Sequence, residues 1–71
     1  MNRDLLLQHL AQAERHVARG NVHISRQETL IAEMDRHGHD TIDARKLLVT
    51  LRTTQALHRQ DVERLLRELE H

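Results

Sequence analysis

The sequence predicts an all-α chain folded as an antiparallel two-helix hairpin of the coiled-coil type. Three observations carry that expectation. Proline is absent and glycine occurs only at Gly20 and Gly38, while the good helix formers Leu, Ala, Glu, Gln and Arg dominate the rest. No stretch alternates apolar and polar residues long enough to make a strand. Apolar residues recur at alternating steps of four and three in two separate runs, which is the heptad signature of a helix–helix seam.

The first helix is expected at about 3–37. Its seam runs Leu6, Leu10, Ala13, Val17, Gly20, Ile24, Gln27, Ile31 and Met34, and the heptad phase survives passage through Gly20. A break at Gly20-Asn21, giving three helices, is the rival reading. Ser25 followed by Glu28 is a capping-box pattern that favours a restart there, and Gly20 costs a helix interior roughly 1 kcal/mol relative to Ala. A break would ordinarily lose the phase, so the continuous helix is preferred. The turn is expected at about 38–40, where Gly38 can take the left-handed conformation that closes a helix. Asp40 or Thr41 can cap the next helix, with Asp43 suited to its positive end. That second helix is expected at about 41–70, with a seam Ala44, Leu48, Leu51, Gln55, His58, Val62, Leu65, Leu69. A turn this short makes the helices antiparallel, and the 71 residues form a single domain, 1–71.

Facing residues of an antiparallel pair share a constant index sum. Setting Met34 against Ala44 places Gln27 opposite Leu51, Gly20 opposite His58 and Ala13 opposite Leu65. The flanks then pair sensibly, Asp35 with Arg45 and Glu28 with Arg52 on one side. On the other, Leu30 meets Leu47, His23 meets Thr54, His16 meets Asp61 and His9 meets Glu68. His58, in the core row, reads as a buried histidine bonded to a Gly20 carbonyl rather than as a base.

Composition narrows function by exclusion. Lys+Arg and Asp+Glu each number 11, which argues against a nucleic-acid binder with its basic excess. No run approaches the roughly 18 apolar residues of a membrane span. The start Met1-Asn2-Arg3-Asp4 carries an acid and precedes only three leucines, so no secretory signal is expected and the location is read as cytoplasmic. Cysteine is absent, which removes disulfides and thiolate metal sites. Ser25, the one serine, has no base to activate it, no glycine-rich loop cradles phosphate, and no Glu-x-x-His pattern supports a di-iron centre. The expectation is a protein without catalysis, cofactor or small-molecule substrate.

Seven histidines remain to be explained. His9, His16 and His23 recur every seven residues, a stripe that Leu30 interrupts and His37 resumes. Residues seven apart lie about 10 Å from each other on a helix, too far to share one zinc ion with ligands at about 2.0–2.1 Å. A metal site would need partners from the second helix or another subunit, such as Asp61 for His16 or Glu68 for His9, or else the His37-Gly38-His39-Asp40 string at the turn. The preferred reading is half-buried rings with polar edges in water. Protonating them would nevertheless make the neutral chain cationic in mild acid.

A narrow two-helix seam containing Gly20, Gln27, Gln55 and His58 buries little against the backbone ordering cost of roughly 1–2 kcal/mol per residue, and scaffolds of this size commonly oligomerise. Apolar residues stand outside the seam. Leu30 and Leu47 form one pair beside the turn, Leu7 and Leu66 another near the open end, and these four are the expected interface. The expected assembly is a two-fold homodimer forming a four-helix bundle, or docking onto another helical protein. The alternative function is a histidine-dependent metal-binding or pH-responsive module.

The strings Ala13-Glu14-Arg15-His16-Val17, His23-Ile24-Ser25-Arg26-Gln27, Gly38-His39-Asp40-Thr41 and Leu47-Leu48 with Gln55 and His58 resemble a group of short helical proteins from alphaproteobacteria, especially rhizobia-like genomes. The similarity spans nearly the whole chain, and the Gly-His-Asp-Thr turn is its most specific part. The resemblance implies a bacterial, cytoplasmic origin and supplies no activity and no functional residues.

Overall fold

Two helices fold back on each other along almost their whole length. In the computed structural model, which describes residues 2–71, α1 runs Arg3–Arg36 and α2 runs Ile42–Glu70. They form a rod whose Cα extents are 53 × 14 × 13 Å. No strand occurs among the described residues.

Local chemistry sets each boundary. Asn2 caps α1, its side-chain oxygen accepting from the Asp4 amide at 2.7 Å and so satisfying one of the free N–H groups of a helix start. α1 continues through Gly20 without interruption. Ser25 lies inside it, and Glu28 reaches across to Arg52 instead of back to a cap. At the far end Gly38 takes φ +72°. The His39 amide donates to the Met34 carbonyl at 2.9 Å and the Gly38 amide to Asp35 at 3.2 Å, the paired bonds of a Schellman closure. His37 is thus the C-cap rather than the last helical residue.

Asp40, not Thr41, supplies the capping oxygen for α2, its carboxylate accepting from the Ile42 amide at 2.9 Å. Thr41 stands at the N-cap position without a side-chain cap bond. Its hydroxyl accepts instead from Arg45 Nε at 2.9 Å. The same guanidinium donates to Asp35 at 2.8 Å, so one side chain ties the end of α1 to the start of α2. At the open end Arg3 donates to the Leu69 carbonyl at 3.4 Å.

Every seam position named above is buried or half-buried, and His16 and Thr41 alone join them among the described residues. Leu6, Ala13 and Leu65 form the best-packed cluster, with Leu10, Val62 and Leu69 against it. Among the described residues the buried apolar set is small: Leu6, Ala13, Ile31, Leu48 and Leu65. With no Phe, Tyr or Trp in the chain, the seam has only small and aliphatic apolar side chains to bury.

Candidate functional site

The seam is interrupted at its middle by a polar layer. Gln55, on the α2 seam, is only 4% exposed. Its amide nitrogen donates to the Val17 carbonyl and to Asn21 Oδ1, both at 2.8 Å. Its carbonyl oxygen occupies the space that a β-carbon on Gly20 would need and has no hydrogen-bond partner. Gly20 is therefore the niche for Gln55 and not for His58, which corrects the facing expected from the sequence. The shift is physical: in an antiparallel pair a side chain drops into a hole between residues of the partner helix rather than meeting one residue head-on, and the hole left by glycine takes the amide. Nearer the turn, the second seam glutamine, Gln27, donates across to the Ala44 carbonyl at 2.9 Å.

His58 meets His16, with ring centroids 4.9 Å apart and planes at 83°. These two rings, with Arg19, His23 and Thr54, border an open groove of about 240 Å³ beside the polar layer. The His16–Asp61 and His9–Glu68 pairs expected from the sequence do not form. His16 Nε2 lies 2.8 Å from the Gln12 amide. Arg64 takes both carboxylates on its own helix, Glu68 at 3.0 Å and Asp61 at 3.9 Å. An intrahelical arginine three or four residues away reaches an acid with less ordering than a ring on the neighbouring helix.

The other metal candidates are dispersed. His9 and His23 are exposed on the same stripe as His16. At the turn, His37 Nδ1 lies 2.8 Å from the Glu33 carbonyl, and the His37 and His39 rings stand 6.4 Å apart. Among the described residues no three histidine or acidic side chains are grouped to hold a metal ion.

Along the hairpin run two unlike faces. One carries the histidine stripe and the groove just described. The other carries three cross-helix links: Asp35–Arg45 at 2.8 Å, Glu28–Arg52 at 3.4 Å and Asn21–Arg59 at 3.2 Å. The first two were legible in the flanking rows. Asn21 was missed, although it stands one heptad before Glu28 in the same row and Arg59 one heptad after Arg52. A shallow groove of about 420 Å³ runs beside it, between Ala18 and Val62.

The four leucines expected at an interface remain uncovered, Leu7 and Leu66 at 45%, Leu30 at 46% and Leu47 at 48% exposure. By their rows they divide between the faces. Leu7 and Leu66 continue the acidic and arginine rows, while Leu30 and Leu47 continue the histidine face. Ile42 and Val49, the most exposed large aliphatic side chains, lie beside the arginine row at 60% and 63%. Val22, outside the expected set, is 47% exposed on the back of α1.

Among the described residues no helix is long and apolar enough to cross a membrane. No family model, no curated protein and no solved structure matches this chain.

Proposed function

We propose that this chain works by association, as a hairpin subunit that pairs with a second copy or with another helical surface, and performs no catalysis. The observation that carries this reading is the imbalance of apolar surface. Among the described residues nine large aliphatic side chains are exposed at 45% or more, while five hydrophobic residues are buried. A scaffold of this size with so few buried groups gains from covering the rest, and a closed two-fold homodimer is the commonest way to do so. Sedimentation equilibrium of the full chain tests it. The expected mass is twice the 8.4 kDa of one chain; a single-chain mass at all concentrations, with the helices intact, argues against it.

A pH-responsive hairpin is the second reading, favoured by the His16–His58 ring contact at 4.9 Å. Charging both rings sets like charges side by side, with Arg19 and Arg64 also bordering their grooves and Asp61 the nearby acid. Melting at neutral and mildly acidic pH, in the native chain and in His58→Leu, separates this reading from simple association. A difference confined to the native chain supports it, and equal profiles remove it.

A further inference from the structure

We propose that the face carrying the arginine row is the homodimer contact, and that the two-fold axis runs parallel to the long axis of the hairpin, so that both turns lie at the same end of a four-helix bundle. This rests on the association reading above and adds to it the surface and the orientation.

The face is chosen by its complementary charges, since large aliphatic side chains are shared evenly between the faces: Leu5 and Leu57 flank the histidine rows as Ile42 and Val49 flank the arginine row. Next to the arginine row of α2 lie Ile42 and Val49, more exposed than any other large aliphatic residues. On α1, Ala32 lies level with Val49 beside the acidic row and is exposed as well, whereas Ala18 borders a groove with Glu63 further along the rod. Short side chains on one helix facing longer aliphatic ones on the other allow close approach and interdigitation. The opposite face instead presents His23 and Arg19 along its middle, where a dry contact would bury a ring and a guanidinium without partners.

Area is adequate. The Cα footprint of 53 × 14 Å is on the order of 700 Å² before side chains are added, against the ~800 Å² per partner of a standard interface.

Orientation follows from charge. On this face α1 supplies acids, Glu28 and Asp35, and α2 supplies bases, Arg52 and Arg45, with each pair level along the rod. A two-fold axis along the rod preserves that level and lays α1 over the partner's α2. Glu28 then stands over the partner's Arg52 and Asp35 over the partner's Arg45, giving alternating charges around each layer. A two-fold axis across the rod lays α1 over the partner's α1 and sets the acidic row against itself, which costs where charges lose water. Either axis makes every neighbouring pair of helices antiparallel, as in an up-down bundle, so the charges alone decide between them.

Pulsed dipolar spectroscopy on a nitroxide attached to His39→Cys, at the exposed turn, reads the orientation. Turns at one end give a label separation of roughly 15–30 Å, from helix spacings of 8–10 Å plus the label arms. Turns at opposite ends give about the 53 Å length of the rod, and that result overturns the proposed axis while leaving association intact. Absence of any dipolar signal at a single-chain mass overturns association itself. The face is read by sedimentation of two further variants. Val49→Glu is expected to weaken the dimer tenfold or more, and Leu47→Glu, on the histidine face, to leave it unchanged. The reverse pattern overturns the choice of face.

Discussion

The side-chain carbonyl of Gln55 rests on the backbone of Gly20, in the space that a β-carbon would fill. The one glycine inside a helix thereby acquires a reason. It costs α1 helix propensity, and in return it admits an amide whose nitrogen bonds Val17 and Asn21 on the opposite helix. A polar group at one seam position fixes the alignment of two helices at some cost in stability. Gln55 has that character, because its oxygen is left without a partner.

Substituting Gly20→Ala tests this directly. At an ordinary helix position the change gains about 0.5–1 kcal/mol. Here the amide must move and give up two hydrogen bonds, each worth about 1 kcal/mol. Gly20→Ala is therefore expected to lower stability by on the order of 1 kcal/mol in the native background and to raise it by a similar amount in Gln55→Ala. Urea unfolding of the four proteins at one chain concentration measures the cycle. Additive effects would remove the coupling.

The turn provides a second test. Gly38 has φ +72° with no atom within 4 Å of a β-carbon built on it, so a larger residue meets backbone strain and no clash. Gly38→Ala is expected to cost about 1–2 kcal/mol, and Gly38→Asn less, because asparagine tolerates the left-handed region. Equal losses in the two variants would point to a steric cause instead.

Zinc titration followed by native mass spectrometry addresses the histidines. His16 and His58 offer two rings in contact, and no third ligand is grouped with them, short of the four of a structural site. No stoichiometric complex is expected. A tight one-to-one adduct lost in His16→Ala would overturn this.

Much of the fold was legible in the sequence because a heptad pattern leaves little freedom. Once seventeen positions at steps of three and four share a phase, the buried stripe, the hairpin and the side of each flank follow, and all those positions are sheltered in the structure. The charged links Asp35–Arg45 and Glu28–Arg52 came from the same rows. What the pattern does not encode is the axial offset within a layer. It set His58 opposite Gly20, whereas the niche takes Gln55. Long flexible side chains likewise escaped it. Arg64 reaches Glu68 and Asp61 on its own helix, and the expected histidine partners are lost to it. The faces were hidden for a related reason: Leu7, Leu30, Leu47 and Leu66 look alike in the sequence, and only their rows show that they belong to opposite surfaces.

The claim that one hairpin is an incomplete unit is tested most directly by the melting temperature as a function of chain concentration, followed by circular dichroism. A dimer that folds as it assembles gains stability by mass action. Its Tm is expected to rise by a few degrees for each tenfold increase in concentration. A sharp transition at one temperature across a hundredfold range, with a single-chain mass throughout, would show that the five buried aliphatic residues suffice alone and would contradict the account.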